Sequence, residues 1–263
     1  MDHRIPVIAA LFLASCASSP TMPALSARVA ALQPADALLL GEQHDADEHQ
    51  RIEREVVLLL SGRGTLAALA LEMAEQGKST AGLGTDASET AVQAALAWND
   101  QAWPWRRYGP AVMAAVRAGI PVLGANLPRE RMRATMQETA LDGRLDPANL
   151  ERQRQAIRDG HCGLLPESQI MPMTRIQIAR DDAMARTVVA ARRAGKTVVL
   201  VAGGGHVLRD RGVPQHLPAG FNAKVLLMRA GPGSGSESGS AAADLVEETP
   251  ALPPTDYCAS LRK

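Results

Sequence analysis

The fold can be read from one stretch, Ala37-Leu38-Leu39-Leu40-Gly41-Glu42-Gln43-His44-Asp45-Ala46-Asp47-Glu48. A short apolar run that stops at a glycine is typical of a buried strand. Asp45 and Glu48 have the spacing of a capping box, which predicts that a helix begins at Asp45. The stretch therefore predicts a strand, a turn and a helix. Glu42 and His44 lie in the turn, where open α/β sheets place their ligands.

Three later apolar runs end in the same way, at Glu72, at Asn126 and, after three glycines, at His206. If these strands are parallel, one edge of the sheet collects two imidazoles and two carboxylates. Residues 223–228 predict a further strand. We therefore predict an α/β fold with a mostly parallel sheet of about five or more strands, flanked by helices, in a single domain.

The helices are predicted from apolar residues that recur at helical spacing. A long helix is predicted over residues 174–194, and Pro166 and Pro172 predict an irregular loop before it. His49 lies one helical turn after the predicted helix start and is expected to face solvent.

Composition excludes one class of partner and permits a sizeable core. Lys and Arg together number 28, as do Asp and Glu, so no global field attracts nucleic acid, and no nucleic-acid partner is expected. Hydrophobic residues make up 46% of the chain, which is ample for a core.

Aromatic residues are scarce but clustered. Four of them, Trp98, Trp103, Trp105 and Tyr108, fall in one short segment that also holds Arg106 and Arg107. Two interpretations are open for this segment. It packs on the helices as an insertion, or it covers a flat, anionic, aromatic ligand.

The N-terminal segment predicts the compartment. An apolar stretch too short to cross a bilayer, which takes about 20 residues, ends in Leu13-Ala14-Ser15-Cys16. This motif resembles a bacterial lipobox, so residues 1–15 are predicted to be a lipoprotein signal peptide and 16–35 a tether lipidated at Cys16. An ordinary signal peptide is the alternative. The residue after the lipidated cysteine is Ala17 rather than Asp, which favours sorting to the outer membrane. We therefore expect the protein to face the periplasm there. The lipid anchor is the only membrane attachment predicted.

The remaining cysteines predict a disulfide. Cys162 and Cys258 would meet an oxidising periplasm and are even in number. A reactive thiol at Cys162 is the alternative. Residues 230–263 are predicted to be a flexible linker and a C-terminal tail tied by this bridge. The chain has no Cys-x-x-Cys-His motif, which excludes the usual covalent attachment of haem.

The predicted sheet edge admits several kinds of chemistry. Glu42 and Glu72 lie beyond buried strands, so one carboxyl pKa should be raised by the other. With His44 and His206 they could serve acid/base chemistry, bind a divalent metal through the histidines, or only exchange hydrogen bonds. No His-Glu-x-x-His motif supports the metal interpretation. The glycines before His206 lack the Gly-x-Gly-x-x-Gly spacing of a dinucleotide site.

Several ordered motifs together resemble the ChaN family of haem-binding uptake lipoproteins. The similarity runs from about Ala37 to Met228, within a predicted domain of residues 36–229, and returns near the C-terminus. The motifs that carry it are Leu39-Leu40-Gly41-Glu42-Gln43-His44-Asp45, Ala70-Leu71-Glu72-Met73, Ala125-Asn126-Leu127-Pro128-Arg129, His161-Cys162-Gly163, Ala179-Arg180-Asp181-Asp182-Ala183-Met184-Ala185, Gly203-Gly204-Gly205-His206 and Asp256-Tyr257-Cys258.

The resemblance implies an iron-regulated lipoprotein that binds haem non-covalently and works with the haem or iron uptake machinery. A haem shared between two subunits would make a homodimer. Tyr108 and Tyr257 are the only tyrosines, so they are the only candidates for a tyrosinate ligand, and Tyr257 is expected to be the less free because it adjoins Cys258. The residues expected to bind the cofactor are Glu42, His44, Glu72, Asn126, His206 and Tyr108.

The resemblance also leaves an enzymatic alternative. The same superfamily includes Tiki-type metalloproteases and erythromycin-esterase-type hydrolases, whose paired Gly/His motifs and glutamates resemble those of this chain. A hydrolase would use Glu42, His44, Glu72 and His206, with or without a divalent metal.

Overall fold

The computed structural model of this chain describes residues 24–231, 243–259 and 261–262. Its strands are β1 (Ala37–Glu42), β2 (Leu66–Glu75), β3 (Val122–Asn126), β4 (Thr197–Gly203), β5 (Ala223–Ala230) and β6 (Leu245–Thr249). They form one sheet in the order β3-β2-β4-β1-β5-β6, and every pairing between neighbouring strands is parallel. The predicted parallel α/β fold is confirmed.

Seven α-helices flank the sheet within the described residues. They are α1 (Leu25–Ala31), α2 (Asp47–Gly62), α3 (Glu89–Ala95), α4 (Trp105–Arg117), α5 (Met132–Thr135), α6 (Pro147–Gly160) and α7 (Glu167–Ala191). Most of them follow a strand, because parallel strands need a crossover to return to the same end of the sheet.

The central strands are apolar throughout because both faces of the sheet are covered. Leu38 and Leu40 of β1 pack with α2 and α4, whereas Leu39 packs with α7 on the opposite face. Every residue of β1 and β4 is buried. The helices thus cover the two faces and leave the carboxyl edge of the strands for the loops that carry polar side chains.

Strand register decides which of those loops meet. Glu42 at the end of β1 pairs with Gly203 at the end of β4, and Glu75 at the end of β2 pairs with Asn126 at the end of β3. The turns that follow these strands therefore start at the same edge.

The start of α2 differs from the capping-box prediction. The N-cap is Ala46, which makes no side-chain cap, and the Asp45 carboxylate instead accepts a hydrogen bond of 2.6 Å from the Tyr257 hydroxyl. Asp47 and Glu48 still stabilise the first turn through the helix dipole. A contact from the far end of the chain has replaced the local cap.

The long helix α7 begins earlier than predicted. It starts at Glu167 and continues through Pro172, where an irregular loop was expected. Ile170 and Thr174 on either side of Pro172 are fully buried, and Thr174 donates to the Ile170 carbonyl at 2.7 Å. Their packing holds the helix across the missing backbone N–H.

The prediction of a flexible segment over residues 230–263 is wrong for β6, which extends the sheet beside β5. The same strand explains a second error. His49 is not exposed to solvent but buried, and its Nε2 lies 3.0 Å from the Thr249 hydroxyl of β6. Its Nδ1 accepts the Gln43 backbone N–H at 2.9 Å. The tail of the chain is thus held by a strand as well as by a disulfide.

The predicted signal peptide, most of the tether and Cys16 lie outside the described residues. Within the described ranges, no helix combines the length and the apolarity needed to cross a bilayer.

Candidate functional site

The carboxyl edge brings together most of the residues that the sequence singled out. Glu42 ends β1, Glu72 lies in β2, and His206 follows β4 in a 3-10 turn over Gly204–Val207. All three side chains are buried. They form two neighbouring clusters, one centred on Glu42 and the other on His206.

The first cluster is built around the Glu42 carboxylate. Its Oε1 accepts hydrogen bonds from the Tyr108 hydroxyl and from His44 Nδ1, each at 2.8 Å, and Gln50 Nε2 donates to Oε2. Burial alone would lower the pKa of His44, but the hydrogen bond to Glu42 and the charge of Glu72 outweigh it, so this pKa is raised. Because Glu42 holds Nδ1, the Nε2 of His44 is the ring nitrogen left for a ligand.

Glu53, on the buried face of α2, is a member of this cluster that sequence reasoning missed. Its carboxyl hydrogen-bonds to Glu42, and burial together with the negative charge of Glu42 raises its pKa well above the usual range. Burial and the neighbouring carboxylate thus favour the neutral form of Glu53. Its spacing from His49, Val57 and Leu60, all on one helical face, was a signal that could have found it.

The second cluster is a histidine between two carboxylates. His206 Nδ1 lies 2.5 Å from Asp181 Oδ1, and His206 Nε2 lies 3.3 Å from Glu72 Oε1. Glu72 Oε2 also accepts the Gly203 backbone N–H at 2.7 Å. Asp181, on α7, was not singled out from the sequence, although it lies within one of the resemblance motifs.

The charges of this cluster are coupled. Burial opposes a charged imidazole, but Glu72 and Asp181 overcome it and raise the pKa of His206 to about 10. Burial likewise opposes the charged form of Glu72, yet His206 and His44 hold its pKa well below the usual range. For Asp181 burial prevails over the attraction of His206 and raises its pKa to about 6.

His206 consequently has no ring nitrogen for a metal. Both nitrogens face carboxylates, and a protonated imidazole offers no lone pair. Among the described residues, no three or more His, Cys, Asp or Glu side chains form a group that could hold a metal ion. Of the two histidines predicted as metal ligands, only His44 keeps a nitrogen available.

The two tyrosines occupy opposite environments. Tyr108 on α4 is 2% exposed, and burial together with the Glu42 charge raises its pKa, so its hydroxyl stays protonated and bound to Glu42. Tyr257 is 57% exposed, and its hydroxyl contacts Asp45 and Gln43. The expectation that Tyr257 would be the less free tyrosine is therefore wrong. Tyr108 has a fixed structural partner, whereas Tyr257 does not lie in the core.

The C-terminal tail reaches the site because a disulfide holds it. Cys162 and Cys258 are joined across a sequence separation of 96 residues, as predicted. The bridge holds the neighbouring Tyr257 beside the turn after β1, where its hydroxyl accepts from Gln43 Nε2 at 3.1 Å.

A cleft of about 650 Å³ opens over the two clusters. It is lined by Glu42, His44, Gly203, His206 and Tyr257, among others. Gly203 is required for this shape, because a Cβ atom there would lie 2.9 Å from His44 Nε2.

The aromatic segment forms one wall of this cleft. Trp103 lies edge-on against His44 with ring centroids 4.9 Å apart, and Arg107 also lines the cleft. Trp98 and Trp105 pack edge to face behind it at 5.0 Å. Part of the segment therefore packs as a cluster, and part of it lines the cleft; its role as a cover over a ligand stays a prediction.

Two of the predicted site residues lie elsewhere. Glu72 and Asn126 line a second cleft that shares His44, Ala102 and Trp103 with the first. Asn126 Nδ2 donates to the Glu72 backbone carbonyl at 2.9 Å. Asn126 is thus at the same sheet edge but not in the first cleft.

Two solved structures are similar to this chain, and the first of them shares its fold. A solved structure described as cofacial heme binding to ChaN of Campylobacter jejuni is 23% identical, covers 80% of this chain and 88% of its own, and superposes with a TM-score of 0.65. The structure of the type III effector HopBA1 is 15% identical, covers 82% of this chain and 88% of its own, and has a TM-score of 0.45. No curated protein matches the sequence.

The family itself is shown by the sequence match. A family model described as haem-binding uptake, Tiki superfamily, ChaN matches residues 28–217, which is more than half of the chain. The chain therefore belongs to the ChaN family of the Tiki superfamily.

Proposed function

We propose that this chain is a lipid-anchored protein that binds haem non-covalently in the first cleft and takes part in haem or iron uptake. Membership of a haem-binding uptake family supports haem as the ligand. The observation that carries the proposal is the pairing of two donors, the Tyr257 hydroxyl and His44 Nε2, in one cleft of about 650 Å³. Cofactor sites commonly measure about 300 to 1,000 Å³.

The donor set fits haem iron, for which tyrosine and histidine are both known protein ligands. Bound iron supplies the positive charge that a phenolate ligand neutralises. Tyr257 is exposed and donates its hydroxyl to Asp45 at 2.6 Å. This contact raises the pKa of the free tyrosine, so the charge of a bound iron would be what stabilises the phenolate. We therefore replace Tyr108 by Tyr257 as the candidate tyrosinate ligand.

The remaining groups of the cleft orient and shield the ligand. Glu42 fixes the His44 ring through Nδ1, and Trp103 supplies an aromatic edge beside it. Arg107 donates to Asp47 at 2.8 Å and to the His44 carbonyl at 3.1 Å, which fixes its guanidinium at the cleft, where it would be available to a carboxylate of a bound haem.

Haem titration followed by absorbance tests the assignment. Tyr257→Phe should shift the Soret band and weaken binding by about a hundredfold or more, because an iron bond is lost. His44→Ala should weaken it about five- to 150-fold if His44 only donates a hydrogen bond. Tyr108→Phe is the matched control and should leave the Soret band in place. If Tyr257→Phe and His44→Ala both bind haem like the wild type, the first cleft is not the haem site.

A shared haem would join two copies of the chain. The Campylobacter jejuni ChaN structure is described as showing cofacial heme binding. A haem bound in an open cleft would leave one of its faces available to a second subunit. Sedimentation velocity should then show a monomer without haem and a dimer with it. A monomer at saturating haem would reject the dimer.

The anchor is proposed from the lipobox at Leu13-Ala14-Ser15-Cys16. Cys16→Ser should move the protein from the membrane fraction to the soluble periplasmic fraction and remove the lipid mass. An unmodified wild-type Cys16 in mass spectrometry would reject lipidation, the periplasmic outer-membrane location and any uptake role that depends on them.

A hydrolase is the second candidate, and one observation favours it. His44 is paired with the buried Glu42, an arrangement that suits a general base acting through Nε2. A screen of ester and peptide substrates, with and without chelator, tests this function. Activity that His44→Ala and Glu72→Gln both remove would reassign the chain from carrier to enzyme, and no activity in the wild type would reject the alternative.

A further inference from the structure

The second cleft has the features of a ligand site that the haem proposal does not use. It measures about 540 Å³ and shares a wall, made by His44 and Trp103, with the first cleft. The ends of β2 and β3 contribute Glu72 and Asn126, and α7 contributes Arg180.

A buried acceptor without a partner adjoins this cleft. Asn126 Nδ2 donates to the Glu72 carbonyl at 2.9 Å, which fixes the orientation of the amide because a carbonyl can only accept. The Asn126 Oδ1 is buried and, within the described residues, accepts no hydrogen bond. An unpaired buried acceptor costs about 1 to 3 kcal/mol, so a ligand that donates to it would be favoured.

A half-buried guanidinium without a counter-charge lies in the same cleft. Over the described ranges, no carboxylate pairs with Arg180, and its recorded polar contact is the Met132 sulfur at 4.0 Å. Its buried Nε also lacks a partner. Glutamate, aspartate and ligand carboxylates are the usual partners of such a group.

The remaining charges of the cleft leave room for an anion. Glu72 is compensated by His206, and Glu75 accepts the Arg129 backbone N–H at 3.0 Å. The Arg129 side chain lines the cleft as a second cation. Two guanidinium groups therefore face one uncompensated carboxylate, that of Glu75.

We propose that the second cleft binds a small hydroxydicarboxylate, with Arg180 and Arg129 holding the carboxylates and Asn126 Oδ1 accepting the hydroxyl proton. Leu127, Met73 and Met132 line the same cleft and offer apolar surface to the carbon chain. This site is additional to the proposed haem site and does not depend on it.

Calorimetric titration of the full chain with L-malate and with succinate tests the proposal. The two probes share a four-carbon dicarboxylate skeleton and differ by the hydroxyl. We expect saturable 1:1 binding of L-malate and succinate binding weaker by about three- to tenfold, because Asn126 Oδ1 then stays unpaired. No saturable binding of L-malate, or equal affinity for the two probes, overturns the proposal.

Variants supply an independent test. Arg180→Gln should weaken L-malate binding by about tenfold or more, because a charge-assisted contact is lost. Arg133→Gln is the control, since this exposed arginine does not line the cleft. Far-UV dichroism verifies that both variants fold. Equal L-malate affinity in wild type and Arg180→Gln overturns the proposal, even if the wild type binds the probe.

A haem titration keeps this site distinct from the proposed function. Arg180→Gln should bind haem like the wild type, and L-malate should not displace haem. If haem and L-malate compete and Arg180→Gln weakens both, the cleft holds haem carboxylates and the proposal is overturned. Failure of haem binding with intact L-malate binding would reject only the haem function.

Discussion

Raising the pH should destabilise the folded protein through one buried histidine, His206. Its pKa in the folded state is about 10, against 6.5 for an ordinary histidine. A raised folded-state pKa means that the stabilisation is fully present below pH 6.5 and is lost as the pH rises through about 10. Over this interval the unfolded chain releases a proton that the native cluster retains.

The raised pKa of Glu53 acts in the same direction as that of His206, so the decline is measured in a Glu53→Gln background. The other groups leave this interval nearly clear. The folded-state pKa of Asp181, about 6, lies above the 3.8 of an ordinary aspartate, so its contribution to stability is already lost below the interval. Glu72 has a lowered pKa, so its stabilisation is present above 4.5 and changes only in acid. His44 has a raised pKa and acts in the same direction as His206, but its side chain is 41% exposed and solvent screens it.

The expected size follows from the value of 1.36 kcal/mol per pKa unit. Between pH 6.5 and about pH 9, His206 should lower the free energy of unfolding by about 3 kcal/mol. Urea unfolding at several pH values measures this. Asp181→Asn should flatten the decline, because it keeps a side-chain oxygen at the position 2.5 Å from His206 Nδ1 but removes the charge.

Two results would refute this reasoning about His206. The free energy of unfolding of the wild type would stay constant from neutral pH to about pH 9, or the imidazole resonances of His206 would titrate near 6.5, as in an ordinary histidine. His161→Gln is the control, since the ring of His161 lies 2.8 Å from the Ile157 carbonyl and, among the described residues, pairs with no carboxylate, so the decline should persist in that variant.

Three further predictions concern other parts of the chain. Gly203→Ala should weaken haem binding about tenfold by displacing His44, while Gly205→Ala, where a Cβ would meet nothing within 4 Å, should not. Glu53→Gln should raise the free energy of unfolding at neutral pH by about 1 to 3 kcal/mol in urea unfolding, because it removes the carboxyl that burial and the Glu42 charge destabilise when ionised; a loss of stability would contradict the raised pKa. Cys258→Ser should lower the free energy of unfolding by about 3 to 4.5 kcal/mol under oxidising conditions, and equal stability of variant and wild type would show that β6 alone holds the tail.

The core of the fold was predictable from local pattern. Apolar runs that end in glycine and polar residues identify buried parallel strands, and the runs at β1 and β4 are buried over their whole length. The residue at which each of these runs ends is also local information. Glu42, Glu72, Asn126 and His206 were therefore assigned to one sheet edge before their contacts were known.

Long-range contacts were not predictable in this way. The weakly patterned β6 carries no strong strand signal, and only its pairing with β5 makes it a strand. That pairing buries His49. The predicted helix cap at Asp45 was wrong for the same reason. Tyr257 is more than two hundred residues away in sequence, yet its hydroxyl lies 2.6 Å from the Asp45 carboxylate.

The sequence by itself determined the strands, the sheet edge and the residue types available there, because these depend on hydrophobic periodicity and on neighbours along the chain. Only the tertiary structure decided which pairs form. Asp181 from α7 and Glu72 from β2 enclose His206, and Tyr108 rather than Tyr257 is bound to Glu42. Such pairings depend on distances between separate elements, and those distances set the burial and the charges that determine each protonation state.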